Sequence, residues 1–309
     1  MKALEKQVKK YLDYCEKQKR LSGKTLKAYR IDLDQFIKFL HEQNYDDDKK
    51  GIEKYISWLH QQFKTKTVKR KIACVKTFFN YLEFEEQILT NPFLRIKTKF
   101  REPSVLPKII SLDEIQNIFK AAYNELHQET QTEFQRKTSL KNIAVLELLF
   151  AIGVRVSELC YLTKADVDLK NGEIKINGKG AKERIIQIGN PDVLKILNQY
   201  YNNFKNQTAL SGYFFVNKFN NRLSEQSVRT IINRYAEKCG LKINITPHMF
   251  RHTFATLLLE EDVDIRYIQK FLGHSSIVTT QIYTHVTSKK QKQILSDKHP
   301  RNKLNFTKG

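Results

Sequence analysis

Apolar residues recur at spacings of three and four over the first hundred positions, a pattern that predicts amphipathic α-helices. The first stripe follows Ser22, a candidate N-cap, and comprises Leu26, Tyr29, Leu33, Phe36, Ile37 and Leu40. The second stripe comprises Val68, Ile72, Val75, Phe78, Phe79 and Leu82. Each stripe would bury one helical face and leave the opposite face in solvent. We therefore expect residues 1–98 to form a helical domain with its own core.

A basic segment with two prolines, residues 99–108, is typical of a linker between domains. It would separate the first domain from a second one that spans residues 109–309. Within the second domain, the stretch 123–141 is polar and charged. Because it is long for a connection between two helices, we expect it to form a mobile loop or a contact between subunits.

Helix signals flank this stretch on both sides. Ser111 and Glu114 have the spacing of a capping box at the start of one predicted helix. A strongly apolar helix is predicted for residues 142–152. Gly153 would end that helix and place Arg155 at the start of the next one.

The apolar period changes to two between residues 173 and 188, which predicts a pair of β-strands. Asn177 and Gly178 lie between the two runs and favour a tight turn, with Lys179 near its tip. The remaining patterns are helical. The predicted fold class is therefore mainly α with a small antiparallel β-sheet.

Charge indicates the kind of partner. Lys and Arg number 54 against 33 Asp and Glu, which gives a net charge of +21 and a pI near 9.7. Such an excess is typical of proteins that bind a polyanion, and nucleic acid is the leading candidate. The four cysteines are far apart and are expected to be reduced core residues. The N-terminal region lacks a signal-peptide pattern, so we expect a cytoplasmic, nucleoid-associated protein with no membrane partner.

Several basic side chains are candidates for contact with DNA phosphates. They are Lys66, Lys69, Arg70, Lys71 and Lys76 beside the second apolar stripe, Lys97 and Lys99 near the linker, and Lys182 and Arg184 in the predicted hairpin. An ordinary solvated helix face is the alternative for each lysine.

Six side chains in the second half form an ordered series suited to phosphoryl transfer. They are Arg155, Lys179, His248, Arg251, His274 and Tyr283. Two guanidiniums and a histidine can clamp a doubly anionic phosphorane, and a lysine or histidine can move protons. A tyrosine hydroxyl can act as the nucleophile. No metal ion or other cofactor is then required.

Each of these residues also has an ordinary structural explanation. Arg155 could form a salt bridge with Glu158, three residues later. His274 could cap a helix. Tyr283 is one of fourteen tyrosines, and a tyrosine between Ile and Thr is usually half-buried packing.

His248 and His252 have the spacing of a zinc-binding H-x-x-x-H pair. Met249 stands where the metalloprotease motif has its glutamate, and no cysteine lies nearby. A metal site is therefore not predicted here, and His252 could equally be a hydrogen-bonded core histidine.

The words around these residues resemble those of the tyrosine recombinase family, and within it the Xer type of site-specific recombinase. They are GVRVSEL at 153–159, GKGAKER at 178–184, HMFRH at 248–252 and LGH at 272–274, with Tyr283 nine residues after the last histidine. Each word can occur by chance, but five in this order with fitting separations seldom do. The resemblance covers almost the whole chain.

The resemblance implies a role for each matched residue. Tyr283 would attack the scissile phosphate and leave a 3′-phosphotyrosyl link with a free 5′-hydroxyl. Arg155, Arg251 and His274 would stabilise the transition state.

Proton transfer is assigned in the same way. Lys179 would protonate the leaving oxygen, with Lys182 as the alternative hairpin lysine. His248 would assist proton transfer at the tyrosine.

The resemblance also implies an architecture and an assembly. The first domain would be a SAM-like core-binding domain and the second the catalytic domain with a C-terminal docking tail, together a C-shaped clamp on double-stranded DNA. Family members act as tetramers on two synapsed sites and exchange strands through a Holliday junction. We expect a homotetramer or heterotetramer on a short inverted-repeat site, with a DNA translocase as a further candidate partner.

Three functions remain to be distinguished from the favoured one, Xer-like chromosome dimer resolution. A mobile-element integrase or resolvase would use the same motifs. Type IB topoisomerases share the catalytic set, but the Xer-like N-terminal half and tail argue against them. A catalytically silent DNA-binding protein is the alternative from another class, and the intact Tyr283 and both arginines count against it.

Overall fold

The structure is a computed structural model, and it describes residues 2–98, 108–178 and 183–273. The chain divides into two compact units, Met1–Ser104 and Val105–Gly309. Each unit has its own hydrophobic core. None of the helices in the described ranges is both long and apolar enough to cross a membrane.

The N-terminal unit is helical. Its elements are α1 (Lys2–Lys17), α2 (Gly23–Glu42), α3 (Lys49–Gln62), α4 (Thr65–Phe84) and a 3-10 turn at Pro92–Arg95. The predicted cap is confirmed, because the Ser22 side chain accepts a hydrogen bond from the backbone N–H of Thr25. Both predicted apolar stripes reach the core, where aromatic rings such as Phe36, Tyr55 and Phe79 are fully buried and pack edge to face.

A buried ion pair joins α2 to α4. The Asp32 carboxylate is fully buried and accepts a hydrogen bond of 2.8 Å from Lys71 Nζ, whose side chain is 5% exposed. Arg70 binds the other carboxylate oxygen, and its side chain is about half exposed. Lys71 was predicted to contact DNA. Its buried position argues against that contact, because the pairing with Asp32 turns the ammonium inward.

The C-terminal unit is mixed. Its helices are α5 (Leu112–Leu126), α6 (Glu133–Ile152), α7 (Val156–Tyr161), α8 (Pro191–Ser211), α9 (Glu225–Lys238), α10 (Pro247–Glu260) and α11 (Ile265–Leu272). Three antiparallel strands, β1 (Val167–Asp168), β2 (Glu173–Asn177) and β3 (Glu183–Gln187), form one sheet in the order β1-β2-β3. Ile174 lies opposite Ile186 in the predicted hairpin. The prediction of a mainly α fold with a small antiparallel sheet is confirmed.

The expectation of a mobile loop at residues 123–141 is wrong, whereas the alternative, a contact between subunits, stays a prediction. The stretch supplies the end of α5 and the first nine residues of α6, with only 127–132 between the two helices. A capping box of Thr132 and Gln135 begins α6.

Buried polar contacts explain why this stretch looked like a loop in the sequence. Glu125 is buried, and its carboxylate accepts hydrogen bonds from Ser139 at 3.1 Å and from Arg234 at 2.7 Å. Lys238 binds the same carboxylate. Two residues that face inward, Glu125 and Ser139, are therefore polar, and apolar periodicity cannot reveal a helix face that depends on such residues.

Candidate active site

The site begins where α6 ends. Gly153 adopts a left-handed conformation with φ of +56°, as its predicted role as a helix terminator requires. A Cβ at this position would lie 2.4 Å from Cδ1 of Phe254, so the backbone and α10 are in close contact. The tight turn places Arg155 directly before α7, where it is the N-cap residue.

Glu158 fixes Arg155 in two ways. One carboxylate oxygen accepts the backbone N–H of Arg155 at 2.9 Å, and the other accepts Nη1 of its guanidinium at 2.7 Å. Glu158 is buried while the Arg155 side chain is about one-third exposed. The carboxylate thus orients the guanidinium from behind and leaves part of it accessible to a ligand.

The same carboxylate holds a second arginine. Arg184 on β3 donates from Nη2 to one oxygen of Glu158 at 2.8 Å and from Nη1 to the other at 3.1 Å. Burial by itself would raise the pKa of Glu158. Hydrogen bonds from Arg184 and from the Arg155 backbone outweigh burial and hold the pKa below its ordinary value. Glu158 is therefore ionised at neutral pH.

Arg251 ties three motif segments together. It lies on α10, is buried, and donates from Nη1 to the carbonyl of Gly153 at 2.8 Å. Its Nη2 donates to the carbonyl of Leu272 at 2.6 Å, at the end of α11. Leu272 also packs with Ala255 of α10 in a small apolar cluster. Segments 98 and 21 residues away from Arg251 in the sequence thereby meet at one guanidinium.

His248 and His252 share the first turns of α10 with Arg251. Thr246 caps this helix by accepting the backbone N–H of Met249 at 3.3 Å. His248 is exposed, whereas His252 is half-buried. Burial, and then the nearby charges of His248 and Arg251, lower the pKa of His252 to about 4, so its imidazole is neutral at pH 7. Within the described ranges, no group of three or more His, Cys, Asp or Glu side chains is placed to hold a metal ion.

Comparison with known proteins decides what kind of site this is. The profile described as "Phage integrase family" matches residues 109–290, more than half of the chain. The chain belongs to this family, the tyrosine recombinases. A second profile, "Phage integrase, N-terminal SAM-like domain", matches residues 8–86 of the N-terminal half. The family membership that the motifs predicted is confirmed, and with it the prediction of an enzyme that cuts and rejoins DNA.

Curated relatives and solved structures agree with this assignment. A protein named "Tyrosine recombinase" from Agathobacter rectalis is 50% identical over an alignment of 310 positions that covers 99% of this chain and 100% of that protein. "Tyrosine recombinase XerC" from Thermodesulfovibrio yellowstonii is 36% identical over 95% of this chain and 96% of its own length. A crystal structure of the XerH recombinase bound to a palindromic difH substrate is similar in fold, with a TM-score of 0.75 and 22% identity over 92% of this chain and 83% of that one.

The predicted DNA contacts of this recombinase lie in different surroundings. Lys66, Lys69 and Lys76 are exposed on α4, and Lys97 is exposed after the 3-10 turn. Arg184 is not a surface residue, because its side chain is only 11% exposed and is bound to Glu158. Its position argues against the predicted contact with DNA phosphates.

Five predicted site residues lie outside the described ranges. They are Lys99, Lys179, Lys182, His274 and Tyr283. Their assigned roles remain predictions. The described neighbours of these residues are the ends of β2 and β3, which flank the hairpin tip, and Gly273, which precedes His274.

Sequence reasoning missed the central place of Glu158. It treated this residue only as a competing salt-bridge partner for Arg155, whereas the structure gives Glu158 both Arg155 and Arg184. The sequence did offer a signal for this ion pair. The glutamate of GVRVSEL and the last arginine of GKGAKER carry opposite charges, and both belong to words matched to the family.

Proposed function

We propose that this chain is a site-specific DNA recombinase that uses Tyr283 as its nucleophile and needs neither a metal ion nor ATP. The observation that carries the proposal is the pair of hydrogen bonds from Arg251 to Gly153 and Leu272, which gathers three of the family's motif segments. The attack would form a 3′-phosphotyrosyl bond and release a 5′-hydroxyl. Because the link to tyrosine conserves the bond energy of the cut strand, rejoining requires no ATP.

The arginines would stabilise the charge that develops on the non-bridging oxygens. Arg155 offers a partly exposed guanidinium whose orientation is fixed by Glu158, which is the kind of preorganised donor that transition-state stabilisation requires. Arg251 would act from the adjacent α10, together with His274. Lys179, or Lys182 in its place, would protonate the leaving oxygen.

His248 would take part in proton transfer at the tyrosine. It is exposed at the start of α10, three residues before Arg251, so its ring and that guanidinium lie on the same side of the helix. His252 is one residue beyond Arg251, and its low pKa keeps it neutral beside that guanidinium. We assign His252 to packing in the site and His248 to chemistry.

The N-terminal unit would bind the DNA backbone through α4. Lys66, Lys69 and Lys76 are exposed at spacings of three and seven, which places them on one helical face. No Asp or Glu interrupts the sequence between Thr65 and Leu82. Over this part of α4 the face carries positive charge and no carboxylate of its own helix, which suits a row of phosphates.

We further propose the domain limits and partners that the family resemblance implies. Residues 1–98 would bind core DNA, 99–108 would link, and 109–309 would catalyse and dock onto a neighbouring subunit. The substrate would be two short inverted-repeat sites held by four subunits, identical or paired with a second recombinase, with strand exchange through a Holliday junction. Chromosome dimer resolution is favoured over a mobile-element role, since a curated relative named XerC matches almost end to end.

The decisive experiment is recovery of DNA bound covalently to the protein. Cells would be denatured rapidly in detergent, the attached DNA purified, and its 3′ ends sequenced. Tyr283→Phe should abolish the adducts because it removes the attacking hydroxyl, whereas Tyr267→Phe, which changes an exposed tyrosine on α11, should leave them intact. Adducts that persist in Tyr283→Phe would refute the assignment of the nucleophile.

The location of the adducts separates the remaining functions. Adducts at one chromosomal locus would support dimer resolution, and adducts at element ends would indicate integration or transposition. Normal site-specific binding with no adducts from the unmodified protein would instead identify a silent DNA-binding protein.

The DNA-binding proposal has its own test. Replacing Lys66, Lys69 and Lys76 with Gln should weaken binding and should lower the slope of log K against log salt by about 0.9 for each lost phosphate contact. A slope equal to that of the unmodified protein would place the DNA elsewhere.

A further inference from the structure

We propose that Arg184 is a positioning residue that joins the β-hairpin to the segment of Arg155 and to the end of α11, and that it does not contact DNA. The inference rests on the proposed recombinase function and assigns a new role within the same site. It starts from the observation that the guanidinium of Arg184 is occupied by protein acceptors on two other elements.

The first acceptor is Glu158 on α7. Arg184 binds both carboxylate oxygens, at 2.8 and 3.1 Å, in the fork-to-carboxylate geometry that fixes orientation as well as distance. Arg155 donates to the same carboxylate at 2.7 Å. One carboxylate therefore sets the spacing between the hairpin and the guanidinium that is expected to hold the phosphate.

The second acceptor is the end of α11. Nε of Arg184 donates to the carbonyl of Phe271 at 2.9 Å, next to the Leu272 carbonyl that Arg251 binds. Adjacent carbonyls at this helix end are thus held by two different arginines. They are among the last carbonyls of α11, which no later turn of the helix can satisfy.

Gly273 completes the junction. Its φ of +63° ends α11, and a Cβ at this position would lie 2.8 Å from Nη1 and 3.1 Å from Cδ of Arg184. The guanidinium therefore lies directly against the backbone that leads into His274. Glycine permits this approach because it has no side chain.

The consequence is mechanical. Strand β3 begins directly after the hairpin residues that include Lys179, and Arg184 is its second residue. Through this one side chain, the strand is bonded to the segment of Arg155 and to the segment of His274. Loss of the fork would let the segments move relative to one another, and a misplacement of about 1 Å can cost roughly a hundredfold in rate.

The test compares two substitutions with a matched control. Arg184→Gln removes the charge and the fork. Arg184→Lys keeps the charge but cannot reach both carboxylate oxygens and the Phe271 carbonyl together. Lys175→Gln is the control, because Lys175 is an exposed basic residue on the adjacent strand and pairs with the exposed Glu183.

Three quantities would be measured on the full chain: DNA affinity over a range of salt, the rate of covalent adduct formation at saturating DNA, and hydrogen exchange of residues 265–273. For Arg184→Gln we expect affinity and salt slope close to those of the unmodified protein, with an adduct rate lower by roughly tenfold to a hundredfold. Arg184→Lys should remain slow. Exchange at the end of α11 should be faster in both variants and unchanged in Lys175→Gln.

Two results would overturn the proposal. One is a slope of log K against log salt that is lower by about 0.9 in Arg184→Gln, together with normal affinity in Arg184→Lys. That result would indicate a phosphate contact, because a lysine can bind a phosphate as a point charge. The other is unaltered exchange at residues 265–273. The exchange measurement needs no catalysis, so it decides the junction even if the unmodified protein forms no adduct and the recombinase proposal itself fails. If Arg184→Gln does not fold, as judged by circular dichroism, Arg184→Lys carries the same comparisons.

Discussion

Gly153→Ala tests how tightly the end of α6 is packed against α10. The substitution adds one methyl group where φ is +56°, and that methyl would lie 2.4 Å from Cδ1 of Phe254. The left-handed conformation costs an L-residue about 1–2 kcal/mol. Forcing a methyl into a packed site adds about 1–3 kcal/mol. We expect the free energy of unfolding of the C-terminal unit to fall by roughly 2–5 kcal/mol.

Two other glycines separate the cost of the left-handed backbone from the cost of packing the added methyl group. Gly212 has φ of +74° with no atom within 4 Å of a built Cβ, so Gly212→Ala reports the backbone cost alone. Gly189 has neither a positive φ nor a neighbour within 4 Å, so Gly189→Ala should be close to neutral. The difference between Gly153→Ala and Gly212→Ala should then be the packing cost, about 1–3 kcal/mol.

Urea unfolding followed by circular dichroism measures these differences. Trp58 is the only tryptophan and lies on α3, so its fluorescence follows the N-terminal unit and serves as an internal reference. Gly153→Ala should move the dichroism midpoint without moving the fluorescence midpoint, and Phe254→Leu should relieve part of the loss. If the losses in free energy of unfolding caused by Gly153→Ala and by Gly212→Ala agree within about 0.5 kcal/mol, the contact with Phe254 does not restrict residue 153 and the reasoning fails.

Three further predictions concern buried charge, pH and the junction at α11. Asp32→Asn should lower the free energy of unfolding, measured by urea titration, by about 3–5 kcal/mol, because the buried ammonium of Lys71 would lose its carboxylate. Adding Lys71→Met should recover part of this loss, and no recovery would contradict the explanation. Because the folded protein holds the pKa of His252 at about 4 while the ordinary value is 6.5, stability should fall as pH drops from 6.5 to 4, when the unfolded chain takes up the proton first. His252→Gln should lose that part of the pH dependence in urea titrations, and an identical profile would show that another group is responsible. Gly273→Ala should slow adduct formation because the added methyl group displaces Arg184. In an Arg184→Gln background the same substitution should change the rate much less, and equal rate losses in both backgrounds would disprove the contact between residue 273 and Arg184.

Local rules in the sequence predicted the local features well. Ser22 and Ser111 cap helices as expected, and Gly153 ends α6 in a left-handed turn. Each of these depends on a few neighbouring residues and on the backbone that they permit. The alternation of isoleucines in the hairpin is equally local, and it predicted the two strands, in which Ile174 lies opposite Ile186.

Contacts between distant segments were not predictable in the same way. The burial of Lys71 depends on Asp32, which is 39 residues away, and the helix through Ser139 depends on Glu125 and its two cations. A basic residue that pairs inside the protein has the same letter as one that faces DNA. Periodicity and charge counts therefore assigned Lys71 and Arg184 to DNA, and only their three-dimensional partners correct this.

The charges of the site themselves argue for an anionic ligand. Arg155, Arg184 and Arg251 converge on the ends of α6, α7 and α11, where Glu158 binds Arg155 and Arg184 and two backbone carbonyls bind Arg251. Carbonyl dipoles satisfy the hydrogen bonds of Arg251 but do not cancel its charge. Among these four side chains, three positive charges accompany one negative charge in a partly buried place, where like charges repel strongly. A doubly charged phosphorane would offset that excess, while the protein's own acceptors have already fixed where the arginines stand.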